Sequence, residues 1–370
     1  MKFYCEGTDL ANAVLKVSKA IGIKKPVPVL EGIKITTIGK EDKILILATD
    51  GELTIEEKIT ASVLNEGETV VPGKYFSDFV KKLENEQIEI SINEDNKMEI
   101  KYGENVTYMS VYNPEEYPVI DKDINEKSFT VLQKDFTELI NKTVFAASTE
   151  DTRPILKGCL LEVENGYIKC VALDGFRMAI SKRKLVESKG DNFKAVVPAR
   201  SLTEIVRLLD KQEDKITVVL KKNALMVKVG NTTIITRLLE GEYLNYSQIL
   251  PKDFITKVNV NKTVFTISLE RVMVLSMVER TTLVKMDIKE EVMTMTANSE
   301  IGNITENVYI TLEGKDLSIA FNGKYIADYL RFVEGTTLNM SFNSPISPCV
   351  IKDDKDEDSL YLVLPLRING

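Results

Sequence analysis

The sequence predicts an α+β fold made of three repeated domains, each with two helices packed against antiparallel sheets. Two observations predict it. Similar segments recur with a period of about 125 residues, and each repeat alternates apolar segments of period two with two amphipathic segments of helical period. With 370 residues the chain is too long for one ordinary core and fits two or three domains. Its 44% hydrophobic and 28% charged residues are typical of a globular protein.

The repeat is clearest where a short β run meets a helix. Glu68–Phe76 is answered by Lys194–Leu202, and the offset from Pro72 to Pro198 is 126 residues. A looser third copy is Leu317–Tyr325, in which an asparagine replaces the proline. One structural unit is therefore expected to occur three times along the chain.

This period also predicts the domain boundaries. The predicted domains are 1–126, 127–251 and 252–370, and the boundaries fall near two stretches typical of linkers, 121–127 and 250–257. Each domain is expected to contain two half-units, each running strand, helix and then several strands. Antiparallel sheets with two helices on one face of each domain follow from this order.

The first domain shows these elements in order. Lys2–Glu6 alternates as a strand, and Asp9–Ala20 carries apolar residues such as Leu10 and Val14 on one face of a helix. Thr8 is the expected N-cap of that helix. The remaining predicted elements are strands at Gly32–Thr37, Lys43–Ala48, Gln87–Ile92, Lys97–Tyr102 and Thr107–Val111, and a helix at Lys74–Leu83.

Charge separates the predicted helices from the rest of the chain. The six helix windows together carry 13 Lys and Arg against 9 Asp and Glu, so they sum to +4, whereas the whole chain sums to −8. A positive helical surface in a negative protein is expected where a surface faces a polyanion, and solvated surface lysines produce the same pattern. The windows are 8–21, 74–83, 133–147, 199–210, 263–280 and 323–333.

The residue types argue against catalysis. The chain has no histidine, which removes the commonest general base and the commonest metal ligand. Cys5, Cys159, Cys170 and Cys349 form no C-x-x-C pair and are expected to be small buried side chains. The acidic run Asp353–Asp358 lacks the spacing of an EF-hand and is expected to be a solvated loop. No catalytic residue, cofactor or metal is therefore predicted.

Short segments spread over the whole chain carry a family resemblance. They are Met1–Phe3, Asp151–Gly158, Asp174–Ala179, Val196–Arg200, Glu240–Gly241 ahead of Tyr246, Leu250–Lys252 and Tyr361–Arg367. In this order and spacing the sequence resembles the bacterial DNA polymerase III beta subunit, the sliding clamp that acts as a processivity factor. The resemblance covers essentially the whole chain.

The resemblance implies a protein that stays on DNA because it encloses the duplex. As a homodimer, two chains would close head to tail into a six-domain ring that encircles double-stranded DNA without sequence preference. A clamp loader would open the ring with ATP, and the ring would tether the replicative DNA polymerase, in the cytoplasm and away from any membrane. Twelve inward-facing helices spaced by about 9 Å would leave a hole of roughly 24 Å, wide enough for a duplex.

The resemblance also implies three sets of functional residues. Partner proteins would dock a short peptide, Gln followed by Leu and an aromatic or aliphatic residue, between the second and third domains. The implied peptide-binding residues are Leu156, Leu173, Gly175, Phe176, Arg177, Met178, Leu244, Gln248, Ile249, Pro348, Leu362, Leu364, Pro365, Leu366 and Arg367. The implied DNA-binding residues are Lys24, Lys74, Arg153 and Arg200, to which helix position adds Lys81 and Lys82. The implied dimer-interface residues are Val274, Leu275, Glu300 and Glu306.

The sequence departs from the family pattern in the peptide-binding segments and the third domain. Phe176 stands where the family has histidine, Gln248 where it is often basic, and Leu244 where it has proline. Of the acidic cluster common after the Asn298 segment, only two glutamates remain nearby. The expected consequences are a different preference among partner peptides and altered details at the dimer interface.

Two other functions compete with the clamp. A repeat-built scaffold could bind peptides without encircling DNA, and a chain that stays monomeric at high concentration would favour it. An enzyme could use the carboxylates of Asp50, Asp174 and the run Asp353–Asp358 for metal-assisted phosphoryl transfer. The chain has no Gly-x-x-x-x-Gly-Lys-Ser/Thr loop to cradle phosphates. ATPase and nuclease assays would expose such an activity.

Overall fold

The computed structural model describes residues 1–22, 27–83, 85–118, 127–189, 192–209, 213–277 and 282–367, which form two compact units. Unit 1 comprises Met1–Gln133, Val186–Asp191 and Glu204–Leu238, and unit 2 comprises Lys134–Leu185, Asn192–Thr203 and Leu239–Gly370. The three predicted domain ranges stay a prediction. Lys24, most of the predicted linker at 121–127 and the last residues of the helix windows 199–210 and 263–280 lie outside the described residues.

The strands and helices alternate along the chain as the repeats predict. In chain order the strands are β1 (Lys2–Glu6), β2 (Gly32–Ile38), β3 (Lys43–Thr49), β4 (Leu53–Thr60), β5 (Ser62–Asn65), β6 (Glu68–Pro72), β7 (Gln87–Ile92), β8 (Lys97–Tyr102), β9 (Asn105–Ser110), β10 (Ser128–Leu132), β11 (Gly158–Glu164), β12 (Tyr167–Leu173), β13 (Arg177–Lys184), β14 (Glu187–Lys189), β15 (Phe193–Pro198), β16 (Lys215–Leu220), β17 (Ala224–Val229), β18 (Thr232–Arg237), β19 (Thr256–Asn261), β20 (Leu283–Lys289), β21 (Val292–Ser299), β22 (Gly302–Gly314), β23 (Leu317–Asn322), β24 (Thr337–Phe342), β25 (Cys349–Asp353) and β26 (Asp356–Val363). The helices are α1 (Gly7–Val17), α2 (Gly73–Val80), α3 (Gln133–Asn141), α4 (Ala199–Leu208), α5 (Lys262–Ser276) and α6 (Gly323–Leu330).

The strands form three antiparallel sheets within the part of the chain that the structure describes. Unit 1 contains a five-stranded sheet in the order β5-β1-β7-β8-β9 and a nine-stranded sheet in the order β14-β10-β16-β17-β18-β4-β3-β2-β6. Unit 2 contains a twelve-stranded sheet in the order β15-β11-β12-β13-β26-β25-β24-β19-β22-β21-β20-β23. The predicted α+β class is confirmed, and an α-helix begins within each of the six predicted windows or one residue before it.

The helices bury the faces that the apolar spacing predicted. In α1, Leu10, Val14 and Val17 are fully buried, and in α2 the buried pair is Phe76 and Val80, four residues apart. Residues three or four apart on a helix share a face, so burying these side chains holds each helix against its sheet. Burial of each such side chain contributes about 1.5–3 kcal/mol.

The predicted cap of the first helix is wrong. The helix begins at Gly7 with Glu6 as N-cap, so Thr8 lies inside the first turn, where its hydroxyl accepts a hydrogen bond from the amide of Asn85 (3.3 Å). Strand β1 runs directly into the helix at Gly7, whose amide donates to Glu86 O (2.8 Å). A Cβ at Gly7 would lie 2.0 Å from Leu83 O, so this close backbone contact determines where the helix starts.

The third repeat keeps its helices by a different capping chemistry. Asn322 replaces the proline of the first two copies, and its side-chain oxygen accepts the amide of Lys324 (3.0 Å) at the start of α6. Asn261 caps α5 in the same way by accepting the amide of Val264 (3.1 Å). An asparagine that accepts a first-turn amide stabilises a helix by about 1 kcal/mol, so the looser third copy still forms the same elements.

The four cysteines are free and buried, as predicted. Burial raises the pKa of the Cys5 thiol to about 12, and burial also contributes to a raised pKa at Cys349. A thiol with a raised pKa is a poor nucleophile. The described part of the chain contains no helix long and apolar enough to cross a membrane.

The acidic run Asp353–Asp358 is not the solvated loop that was predicted. Asp353 ends β25 and is buried, and its carboxylate accepts the amides of Glu334 (2.8 Å) and Gly335 (3.0 Å). Asp356 begins β26 and accepts hydrogen bonds from Lys142 (2.7 Å) and Arg183 (3.0 Å). The turn between the two strands is exposed, as are Glu357 and Asp358 in β26, and β25 and β26 pair directly across the turn. The carboxylates of Asp353 and Asp356 therefore serve structure within unit 2.

We expect Asp356→Asn to lower the free energy of unfolding by about 1–3 kcal/mol at pH 7, because it leaves two cations without their shared carboxylate. Although burial opposes ionisation, the hydrogen bond from Lys142 and the charge of Arg183 lower the pKa of Asp356 to about 2. The pKa is lowered, so the stabilisation is present above the ordinary value of 3.8 and is lost as the pH falls through about 2. Urea unfolding at pH 7 and at pH 2 checks this, with the exposed Asp358→Asn as control. An equal effect of Asp356→Asn at both pH values would contradict it.

Candidate functional site

Strand pairing brings the C-terminal segment against the second repeat. β26 pairs antiparallel with β13, so that Met178 lies opposite Leu362 and Arg177 opposite Val363. Beyond β26, the amide of Leu364 donates to Phe176 O (2.8 Å). Segments almost 190 residues apart in sequence therefore form one continuous surface in unit 2.

An apolar cluster lies where these segments meet. Its buried members include four of the implied peptide-binding residues, and eight partly buried side chains pack against it. The buried members are Leu156, Leu160, Val171, Leu173, Met178, Ile180, Val196, Val350 and Leu362. The partly buried members are Ile155, Leu239, Tyr243, Tyr246, Leu250, Phe254, Leu360 and Leu364. We call this cluster, together with the exposed Phe176, Leu244, Ile249 and Ile346 of the same unit, the apolar cleft.

Several apolar side chains close in sequence to the cluster are exposed, and they belong to the same unit. Phe176 is 52% exposed, Leu244 41% and Ile249 40%, although their side chains are large and apolar. Ile346, which no sequence signal singled out, is 81% exposed on the loop that ends at the half-buried Pro348. Contiguous exposed apolar patches mark sites that bind a partner, whereas apolar side chains that are exposed singly are ordinary.

The turn before β13 fixes the position of Phe176. Asp174 accepts the amides of Phe176 (2.9 Å) and Arg177 (3.0 Å), and Gly175 adopts a φ of +96°, which favours glycine. The Phe176 ring stacks on Tyr325 with 6.3 Å between centroids. The turn therefore presents an aromatic ring where the family has a histidine.

Arg177, one of the implied peptide-binding residues, is mostly buried. Its side chain is only 11% exposed and binds Asp174 (2.9 Å) and Asp328 (2.7 Å). It also donates to Phe145 O (2.9 Å), and its guanidinium lies 4.6 Å from the Tyr325 ring centroid. Arg177 therefore positions the turn against α6, while Arg367 is exposed.

Of the other implied peptide-binding residues, some are half buried and some are exposed. Leu366 is half buried, and its amide donates to Ala320 O (2.8 Å); Pro365 is also half buried. Gln248 is exposed at the end of a 3-10 turn, Tyr246–Gln248. Tyr243 and Tyr246, which are not among the implied residues, pack against the cluster from the same segment. A tyrosine in a connecting segment gave no periodic signal that could have identified it.

Two of the implied DNA-binding residues, Lys74 and Arg200, occupy equivalent positions in the repeats. Lys74 and Arg200 are exposed in the first turns of α2 and α4, and Lys324, which was not selected, is exposed at the matching position of α6. Lys81 and Lys82 follow α2 directly and are exposed; Lys81 lies 3.9 Å from Asp78. Arg153 is exposed before the 3-10 turn Pro154–Lys157, and Lys24 lies outside the described residues.

Two strand pairs join successive repeats in the same way. β18 pairs with β4 in unit 1, and β26 pairs with β13 in unit 2. β4 and β13 hold the same repeat position, since Ile55 lies opposite Ala48 and Ala179 lies opposite Ala172. The third strand at this position is the first part of β22, where Ile304 lies opposite Ala297.

That third strand has an open edge in the structure as described. Residues 302–309 of β22 pair with β21 on one side, and β19 reaches only residues 310–314 on the other. β9 holds the repeat position of β18 and is the edge of its five-stranded sheet. An open strand edge carries unpaired amide and carbonyl groups and is a template for pairing with another chain.

The implied dimer-interface residues lie beside this open edge. Val274 on α5 is 67% exposed, Leu275 is half buried, and Glu300 is exposed before β22. Glu306 on β22 pairs with Arg271 (3.4 Å), as Glu57 on β4 pairs with Lys16 (2.9 Å) at the equivalent positions of the first repeat. Where β18 pairs with β4, which we call the first junction, Thr232 of β18 lies opposite Glu57 and also binds the Glu57 carboxylate.

Comparisons with known proteins agree over the whole chain. Models of the DNA polymerase III beta subunit match at residues 1–121 for its N-terminal domain, 130–245 for its central domain and 247–367 for its C-terminal domain. The beta sliding clamps of Halalkalibacterium halodurans and Bacillus subtilis are 32% and 30% identical to the chain, and each match covers 99% of this chain and 100% of the relative. The crystal structure of the DNA polymerase sliding clamp from Bacillus subtilis superposes with a TM-score of 0.95 at 30% identity, covering 100% of both chains.

Proposed function

Since the chain belongs to the DNA polymerase III beta subunit family, we propose that it is a DNA sliding clamp. Two copies close head to tail into a ring around double-stranded DNA, and the ring tethers the replicative polymerase for processive synthesis. The protein acts in the cytoplasm without catalysis, cofactor or metal. A clamp loader opens the ring, and the loader and other partners dock through a short peptide.

The main support for a ring is a strand pair that joins successive repeats. This pair occurs twice within the chain, and the third equivalent strand lacks its partner in the described residues. Each chain pairs β18 with β4 and β26 with β13, and among the described residues no strand covers the outer edge of β9 or of the first part of β22. The two open edges are different, so one copy offers β9 where the next offers β22. Such a head-to-tail contact forms a closed ring if the rotation closes, and most soluble oligomers are closed.

The first junction supplies the expected register between subunits. Ile234 of β18 lies opposite Ile55 of β4. Thr107 holds the position of Ile234, because both are the third residue after two-residue turns in matching hairpins. Ile304 holds the position of Ile55, so Thr107 of one subunit lies opposite Ile304 of the other. Val274 and Leu275 then supply apolar area beside this ladder.

We expect the double variant Thr107→Cys, Ile304→Cys to form covalent dimers under mild oxidation. Directly opposite strand residues lie about 4.5–5.5 Å apart between Cα atoms, within the reach of a disulfide. Electrophoresis without reductant measures the product, and small-angle X-ray scattering measures its hollow shape. The control pair Thr107→Cys, Asn307→Cys is displaced by three residues, about 10 Å, and should not cross-link. A chain that remains monomeric at every concentration would instead support the peptide-binding scaffold.

The ring needs only weak contacts with DNA. Lys24, Lys74, Lys81, Lys82, Arg153 and Arg200 are proposed to contact phosphates. Phosphate contacts carry no sequence information and weaken steeply with salt. A closed ring stays on DNA without tight binding, so few contacts permit sliding, and an overall charge of −8 does not oppose the function.

The apolar cleft is proposed to be the peptide-docking site. Leucine, isoleucine and methionine side chains provide an adaptable apolar surface, and Phe176 and Tyr325 add a stacked aromatic pair at one end. A leucine and an aromatic residue of the peptide would fill it, as buried anchors dominate the energy of such interfaces.

A further inference from the structure

A second recess adjoins the apolar cleft on the same face of the unit 2 sheet. Side chains two residues apart along a strand share a face, so strands β15, β11, β12, β13 and β26 present successive cross-strand rows. One row is apolar, and all of its members belong to the cleft: Val196, Leu160, Val171, Ile180 and Leu360. The next row, about 6.6 Å further along the strands, is charged.

The charged row contains more cations than anions. Lys194 lies opposite Glu162, Glu162 opposite Lys169, and Lys169 opposite Lys182. Two lysines directly opposite each other on one face repel, and such pairs are usually unfavourable. The row borders a recess of about 380 Å³, which is lined by two lysines, Lys169 and Lys182, by two carboxylates, Glu162 and the exposed Glu164, and by Asn165 and Tyr167.

The carboxylate in this row is already neutralised. Glu162 is 8% exposed, binds Lys194 (2.6 Å), lies 3.6 Å from Lys169 and accepts a hydrogen bond from the Tyr246 hydroxyl. Although burial opposes ionisation, the hydrogen bonds from Lys194 and Tyr246 lower the pKa of Glu162. Glu162 therefore stays ionised, and its charge is paired with groups of its own chain.

The two facing lysines remain directed at the recess. Lys182 lies 4.0 Å above the Tyr167 ring centroid, and its ion partner Asp358 is 3.8 Å away and 56% exposed. Lys169 lies 5.7 Å from the Tyr246 ring centroid. Exposed ion pairs such as Lys182–Asp358 are weak and are readily exchanged for another carboxylate.

Tyr246 connects the recess to the cleft. Its ring packs against the apolar cluster, and its hydroxyl binds Glu162 and accepts a hydrogen bond from Lys169 (3.1 Å). We propose that the recess is an anion subsite of the docking cleft, in which Lys169 and Lys182 bind an acidic side chain that flanks the docked peptide. The proposal rests on the proposed peptide-docking function, and the distance of one row places the acidic residue about two residues beyond the apolar anchor.

Matched peptides test this subsite with the full-length protein. Each peptide has one Gln-Leu-type core, flanked on its N-terminal or C-terminal side by two glutamates or by two glutamines. Fluorescence anisotropy at low salt measures their affinities. For one of the two sides, we expect the glutamate peptide to bind about three- to tenfold more tightly than its glutamine partner.

Substitutions test whether Lys182 causes the preference for the glutamate peptide. Lys182→Met keeps an apolar stem over Tyr167 and should reduce the ratio of glutamate-peptide affinity to glutamine-peptide affinity to about one. Lys182→Glu should invert this ratio. Lys257→Met, at a lysine 51% exposed on β19, should leave the ratio unchanged. Equal binding of all four peptides to the unaltered protein would overturn the subsite and leave the cleft intact. If no peptide bound, the proposed cleft would be overturned, and the subsite with it.

Discussion

Replacing Leu364 and Leu366 with alanine is expected to abolish capture of a Gln-Leu-type peptide while the protein stays folded. Leu364 packs against the apolar cluster, and Leu366 is half buried on the same C-terminal segment. The backbone amides of both residues donate to Phe176 O and Ala320 O, and these bonds do not depend on the side chains. Loss of two central apolar contacts costs about 3 kcal/mol or more in binding, which is over 100-fold in Kd.

The measurement is fluorescence anisotropy with a labelled peptide, paired with thermal unfolding by circular dichroism. The matched control is Leu15→Ala with Leu64→Ala, two leucines in unit 1 that are 48% and 56% exposed. The control should bind peptide normally and unfold at nearly the same temperature. Unchanged affinity in the Leu364→Ala, Leu366→Ala variant would remove the apolar cleft as the docking site.

The loaded protein is expected to stay on nicked circular DNA and to leave the same DNA once it is linearised. A closed ring cannot leave a circle without opening, whereas it slides off a free end because its phosphate contacts are weak. The difference in loss rate should be about tenfold or more at moderate salt. Gel filtration of labelled protein loaded by clamp loader and ATP measures it, before and after cutting with a single-site nuclease. Equal loss from both DNAs would contradict a closed ring.

Charge reversal tests which surface faces the DNA in the same assay. Lys24→Glu with Arg200→Glu should speed loss from DNA several-fold, because it replaces attraction to phosphates with repulsion. Peptide affinity should not change. Lys40→Glu with Lys222→Glu, two exposed lysines outside the six α-helices, makes the same change in net charge as a control. If the two double variants behaved alike, the proposed DNA-facing residues would be wrong.

Sequence period predicted most of the secondary structure because local packing decides it. Apolar spacing located α1 and α2, and alternation located strands such as β7 and β8 to the residue. The errors arose where a distant backbone segment intervened. Thr8 is not the cap because Gly7 contacts Leu83 O, and Asp353 is not solvated because its carboxylate binds the amides of Glu334 and Gly335.

The sequence by itself determined the repeats, the residues that share each helix or strand face, and the family resemblance that selected the cleft residues. The tertiary structure alone decided which distant strands became neighbours. The pairing of β13 with β26 brought Met178 to Leu362, turned Arg177 inward to Asp328, and extended the row of facing lysines toward Asp358. Alternation tells which side chains share a face of one strand. It does not give the strand order, and it limits the register between distant strands only to shifts that keep the same faces buried. The remaining choice depends on hydrogen bonds between segments far apart in the chain.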